Sequence, residues 1–201
     1  MPIAFRSDLP AEIAVLAVLA GWLGFGAILA LGKRRAAPGA AKRDWKSGAG
    51  FLLQAVAYAI CFVFARAYFS AIRPMPRLAE EILSVITTAI VVASVWFCCV
   101  AAMALGKQWA LVARVIEGHE LISAGPYAIV RNPIYLAMLG MYVASALAVA
   151  RWPAALAGLI VFLAGTAIRI RTEENLLLTA FGTRFSDYAR RVPAFFPRIF
   201  P

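Results

Sequence analysis

Five stretches of nearly unbroken apolar sequence, residues 11–31, 49–72, 82–105, 134–150 and 153–170, dominate the chain. Each is close to the roughly 17 to 25 residues that a helix needs to cross the hydrocarbon of a bilayer. Lipid offers no water to backbone N–H and C=O groups, so runs of this kind fold as helices that satisfy those groups internally. A soluble core cannot absorb five of them in 201 residues of which 63% are apolar and only 15% charged. The expected fold class is an all-α integral membrane protein with five transmembrane helices. The first run lacks the basic flank and the short length of a cleaved signal peptide, so it is read as a retained span.

The charges give the orientation. Lys33, Arg34, Arg35, Lys42, Arg43 and Lys46 follow the first span, Lys107, Arg114 and Arg131 follow the third, and six arginines lie from Arg169 onward. Those fifteen stand against Arg6, Arg73, Arg77 and Arg151 on the other side, with Arg66 inside the second span. The positive-inside rule puts the N-terminus outside and the C-terminus in the cytoplasm, which in a bacterium means the inner membrane. The formal net charge of +10 is then largely a matter of orientation, and no nucleic-acid partner is required. Arg66 is a functional candidate by default as an intramembrane charge, and equally a residue that snorkels outward beside Arg73.

The last two spans are separated by Arg151 and Trp152 before Pro153, which predicts a tight hairpin of antiparallel neighbours with proline in the first turn of the return helix. Two cytoplasmic pieces, 106–133 and 171–201, therefore emerge side by side. The chain divides into three N-terminal spans (1–105) and a C-terminal half (106–201) holding the candidate chemistry. Gly21, Gly24 and Gly26 of the first span permit close helix approach, within the chain or between chains. Cys61, Cys98 and Cys99 lie in apolar runs without CxxC spacing and read as buried hydrophobes, so neither disulfide nor metal ligation is expected.

The first cytoplasmic piece carries the chain's single histidine, His119, a Gly125-Pro126-Tyr127 turn, and Arg131-Asn132-Pro133 running directly into the fourth span. Proline is tolerated at a helix start because its missing N–H has no partner there anyway. The free N–H groups and positive dipole end of that helix favour an anionic or electron-rich ligand. In the second piece Arg169 and Glu173 are four apart and Arg171 and Glu174 three apart, so each pair shares a face of a helix continuing out of the fifth span. Leu176, Leu177, Ala180, Phe181, Phe185 and Tyr188 supply an apolar side to an amphipathic tail. Each residue also has an ordinary role as interfacial anchor or snorkelling base. Nucleotide-binding glycine loops, HExxH, GxSxG and paired intramembrane carboxylates are all missing from the sequence.

His119-Glu120-Leu121-Ile122, Gly125-Pro126-Tyr127 and Arg131-Asn132-Pro133-Ile134-Tyr135, followed by Arg169-Ile170-Arg171-Thr172-Glu173-Glu174 and the FG…Y…RVP…P tail, occur in order at the span boundaries. Over about residues 107–201 this pattern resembles the isoprenylcysteine carboxyl methyltransferase family and its phospholipid methyltransferase relatives. The resemblance implies an integral membrane methyltransferase that uses S-adenosyl-L-methionine at a cytoplasmic C-terminal site and acts on a lipophilic substrate. It places His119, Glu120, Leu121, Ile122, Tyr127, Asn132, Pro133, Ile134, Tyr135 and Glu173 around the cofactor, and Arg169 on the substrate carboxylate.

Methyl transfer from a sulfonium is an in-line displacement on an activated electrophile, so the protein has mainly to align the reactants and exclude water. A carboxylate acceptor is ionised at pH 7 and needs no base, whereas an amine must first lose a proton. Carboxyl O-methylation of an isoprenylcysteine-like acid is the leading expectation, with N-methylation of a phospholipid amine as the alternative. Asn132 stands where the prenylcysteine enzymes have histidine; it keeps a hydrogen bond but cannot carry charge, so the prenyl substrate itself is not selected by the sequence. Two other readings remain open: a membrane sterol reductase using NADPH, which resembles the chain at its C-terminal end but is expected to be longer, and a non-catalytic transporter or scaffold. The last needs polar residues within several spans, and apart from Gln54 and Arg66 the first three are nearly all apolar.

Overall fold

A computed structural model describes residues 9–35, 45–65, 76–106 and 121–197. The described chain forms α1 (Leu9–Arg35), α2 (Trp45–Val63), α3 (Arg77–Leu105), a single-turn α4 (Pro126–Ile129), α5 (Pro133–Val149), α6 (Trp152–Phe181) and α7 (Thr183–Arg191). Leu9–Gly32, α3 and α6 are long and apolar enough to cross a membrane, while Ser47–Val63 and α5 are shorter apolar helices. The 17 residues of α5 reach about 25 Å against a hydrocarbon core of about 30 Å. The five expected apolar runs are thus three full-length helices and two shorter ones.

Two boundaries differ from expectation. The second run was expected to span 49–72, yet α2 stops at Val63. Ala65 forms an antiparallel bridge with Ala150, and the Arg151 N–H donates to the Phe64 carbonyl at 3.3 Å, so this backbone is committed to the α5–α6 connection. Arg66 lies outside the described residues. α6, which corresponds to the fifth expected span, runs eleven residues past the expected 170, carrying Arg169, Glu173 and Glu174 on one continuous rod.

α5 occupies the middle. It is apolar around its whole circumference, as a helix buried on all sides must be. On one side Ala137, Met141 and Ala144 pack with Val18 and Phe25 of α1 and Val91 and Cys98 of α3. On the other, Tyr142 and Ala150 join Ala57 and Cys61 of α2 and Phe162 of α6. Tyr58 links the layers: its hydroxyl donates to the Met138 carbonyl at 2.7 Å while its ring stands edge-on to Trp22. The outer faces carry Leu23, Val92, Trp96 and Ile160 largely exposed, as surfaces facing lipid tails would. Cys61, Cys98 and Cys99 are free thiols.

Proline does open α6, as the hairpin reading requires. The hairpin partners are nevertheless not each other's main neighbours: α6 packs most extensively on α2, and α5 on α3. Glycine explains the α2–α6 pairing. A Cβ at Gly165 would lie 2.7 Å from the Gly50 carbonyl oxygen, and one at Gly50 would lie 2.7 Å from that of Gly165, so the backbones touch where neither has a side chain. In α1 only part of the expected glycine stripe is used within the chain: Gly21 abuts Val91, while Gly26 has nothing near it.

Candidate active site

Two clusters meet where α5 begins and α6 ends. The first is built on Arg131, the residue before the α5 N-cap. Its Nε and Nη2 both lie 2.8 Å from Glu174 Oε1 on α6. Its Nη1 donates to the Ala189 carbonyl at 2.8 Å and also to that of Val192, while its backbone N–H donates to Pro193 at 2.9 Å. Asn132 adds an amide bond to the Ala194 carbonyl at 2.8 Å, and the Tyr188 hydroxyl donates to the Tyr127 carbonyl at 2.6 Å. The 192–194 strap and α7 are thereby clamped across the entrance of α5. α7 turns Phe185 and Tyr188 inward and leaves Arg184, Arg190 and Arg191 exposed, which is the amphipathic tail the sequence predicts.

The clamp encloses a cavity of about 70 Å³ lined by Leu105, Leu121, Ile122, Tyr127, Arg131, Asn132, Glu174, Leu177, Phe185 and Tyr188. Burial pushes the Tyr188 phenol up to about 12, against the opposing pull of the Arg131 guanidinium. Burial likewise raises Tyr127, with the Glu173 carboxylate adding to the effect. Because the folded-state value of Tyr188 lies above the ordinary value of about 10, its contribution to stability is fully present below pH 10. It is lost as pH rises toward 12. Wild-type protein in detergent is therefore expected to lose thermal stability across that alkaline window, and Tyr188→Phe to flatten the loss; an unchanged slope in the variant would contradict this placement.

The second cluster surrounds Arg169, which is only 4% exposed. Its Cζ lies 4.8 Å from the Tyr135 ring centroid and 5.7 Å from that of Phe51, both within cation–π range. Nη1 donates to Gln54 Oε1 at 3.0 Å, and Nη2 lies 3.9 Å from Glu173 Oε1. The same Glu173 oxygen accepts the Tyr135 hydroxyl. The expected Arg169/Glu173 face is therefore formed. The expected Arg171/Glu174 pair is not formed: Arg171 is exposed, and Glu174 pairs with Arg131, which the Ala189 and Val192 carbonyls hold in place.

The candidate residues thus divide. Leu121, Ile122, Tyr127 and Asn132 line the cavity; Tyr135, Glu173 and Arg169 form the neighbouring network. Pro133 is buried in the first turn of α5, and Ile134 packs toward the α1–α3 core. His119 and Glu120 lie outside the described residues. Gln54, Gly50 and Phe51 of α2 and Thr166 of α6 were not among the expected site residues. The one available signal was Gln54, an amide within an apolar span.

A family model described as phospholipid methyltransferase matches residues 82–184. The cobalt-zinc-cadmium resistance protein CzcN of Cupriavidus metallidurans is 37% identical over 97 residues, covering 47% of this chain and 44% of that protein. Methanethiol S-methyltransferase 2 of Bradyrhizobium diazoefficiens is 41% identical over 89 residues, 42% of this chain and 32% of the relative. Protein-S-isoprenylcysteine O-methyltransferase B of Arabidopsis thaliana is 35% identical over 81 residues, 40% and 41% of the two chains. The chain spans less than half the length of the curated relatives it matches.

Proposed function

The chain belongs to the phospholipid methyltransferase family, and from that premise we propose that it is an integral membrane methyltransferase that uses S-adenosyl-L-methionine to methylate a lipophilic carboxylic acid. The observation that carries the choice of acceptor is Arg169, a buried guanidinium within cation–π distance of two aromatic rings and beside the candidate cofactor carboxylate Glu173. A guanidinium held in one plane is the group best shaped to orient a carboxylate.

The chemistry of the walls suits the cofactor, although the described cavity is only a corner of the room a nucleoside needs. Leu121, Ile122, Tyr127 and Leu177 offer apolar and aromatic surface for a purine. Glu173 offers a carboxylate for ribose hydroxyls or the ammonium group. When bound, S-adenosylmethionine supplies a methyl group already activated by a sulfonium. The protein's part is then to hold the acceptor oxygen in line and keep water away. Tyr135 fixes Glu173, Arg169 turns the acceptor carboxylate toward the methyl, and the strap at 192–194 closes the cytoplasmic side.

An amine acceptor is the second reading. Glu173, in contact with the Tyr135 hydroxyl, offers a proton acceptor that a carboxylate substrate does not need. Incubation of protein in lipid nanodiscs with methyl-labelled cofactor, against prenylated thioether acids and against phosphatidylethanolamine, separates the two. Label released by mild alkali as methanol marks an ester and is the expected result; alkali-stable label on the phospholipid marks the amine. Absence of cofactor binding by calorimetry in the same nanodiscs overturns both.

A further inference from the structure

Gly182, at φ +50 to +60°, a backbone conformation that suits glycine, ends α6 and turns the chain so that α7 folds back beside it. The far end of α7 is tied to the start of α5, because Arg131 holds the carbonyls of Ala189 and Val192 together with Glu174. The 17 residues of α5, about 25 Å, fit within a hydrocarbon core of about 30 Å, so Arg131, just ahead of them, lies at the bilayer surface. Arg190 and Arg191, between Ala189 and Val192, therefore sit at the depth of the lipid headgroups.

An amphipathic tail on its own would lie on a bilayer with its apolar side in the lipid. Here that side is already used: Phe185 and Tyr188 are 4% and 5% exposed and wall the cavity. What α7 leaves outward is Thr183, Arg184, Asp187, Arg190 and Arg191. Asp187 pairs with Arg190 and cancels its charge. Arg191 places its Nε on the Asp187 backbone carbonyl, a neutral group. Among the described residues, no acid forms an ion pair with Arg184 or Arg191. The two are seven apart, close to two full turns, so they share a face that keeps two uncompensated positive charges.

We propose that the outer face of α7 is a docking surface for anionic phospholipid, recognised through its headgroup phosphate by Arg184 and Arg191. Charge complementarity and depth commit the surface to this partner: a guanidinium fork matches phosphate oxygens, and lipid phosphates are the anions concentrated where this face lies. The attachment is electrostatic, in contrast to the apolar insertion that the tail's pattern alone would suggest. It holds whether the methyl acceptor is an acid or an amine.

The test uses the full chain in lipid nanodiscs doped with photoreactive headgroup analogues of phosphatidylglycerol or phosphatidylcholine, the crosslinked residues being mapped by mass spectrometry. In the wild type, residues 182–197 are expected to label roughly tenfold more with the anionic lipid, since each base near a bilayer surface contributes up to about fivefold. About 1 M salt, where the screening length falls to roughly 3 Å, is expected to bring the ratio to about twofold or less. Arg184→Gln combined with Arg191→Gln is expected to do the same at low salt while leaving the thermal melt unchanged. Arg77→Gln combined with Arg151→Gln removes as much charge where α3 and α6 begin, at the other end of the fold, and is expected to keep the wild-type ratio. Equal labelling by the two lipids in the wild type overturns the proposal. So does a preference that survives salt, which marks apolar insertion, or one that survives in the double variant. Displacement of the label by inorganic phosphate at matched ionic strength makes the face a site for free anions and overturns it as well. Should the double variant melt early, the salt series on the wild type and Arg184→Gln alone, for which about a threefold fall is expected, still decide the matter.

Discussion

Glu173→Gln is expected to weaken S-adenosylmethionine binding by roughly a hundredfold, and methyl transfer at subsaturating cofactor by at least as much. The size follows from replacing an ionised acceptor, whose hydrogen bonds are worth about 1.5–3 kcal/mol, by a neutral amide of the same shape. Of the two successive carboxylates on α6, Glu174 is consumed by the Arg131 fork, whereas the Glu173 side chain is 26% exposed and has its Arg169 contact only at 3.9 Å. It is therefore the carboxylate with capacity left for a ligand. Tyr135→Phe removes a single neutral donor to that carboxylate and is expected to cost about fivefold, leaving the protein folded. Calorimetry with the cofactor in nanodiscs, paired with a thermal melt of each variant, checks both. Wild-type affinity in Glu173→Gln would remove Glu173 from the cofactor site.

The cofactor role of Glu173 is what the family resemblance implies; that it shares a face with Arg169 could be read from the sequence itself, and its other surroundings could not, because they lie far away along the chain. Arg169 and Glu173 are one helical turn apart, so periodicity alone places them on one face. The partner of Glu174 could not be read this way. Arg171 is the local candidate, yet Arg131, 43 residues away, takes the carboxylate because it is anchored by tail carbonyls at the same time. Gln54 and Arg169 are separated by 115 residues, and their meeting depends on which helices pack. Hydropathy finds spans but not their neighbours: the hairpin sequence predicts α5 against α6, while small residues at 50 and 165 draw α6 onto α2. The overrun of the second span has the same origin. Residues 64–72 are largely apolar, and only the bridge from Ala65 to Ala150 shows that the helix has already ended.

Arg131→Met is expected to undock the 192–194 strap and to remove methyl transfer with it. The Arg131 and Glu174 side chains are 12% and 24% exposed, so deleting one partner strands a carboxylate in a poorly solvated place at a cost of about 3 kcal/mol. The carbonyls of Ala189 and Val192 lose their donor in the same step. Arg131→Lys cannot substitute, since one ammonium does not span a carboxylate on α6 and two carbonyls on the tail. The double variant Arg131→Met with Glu174→Met separates the electrostatic from the architectural part. Removing both charges eliminates the stranded carboxylate, so much of the thermal stability is expected to return. Activity is not expected to follow it, because the tail carbonyls are still unpaired and Phe185 and Tyr188 are no longer held as the cavity wall. Hydrogen exchange over residues 185–197 reads the undocking directly: fast exchange in both variants against slow exchange in the wild type. Recovery of activity along with stability in the double variant would mean that Arg131 serves charge balance alone and that the strap is not what closes the site.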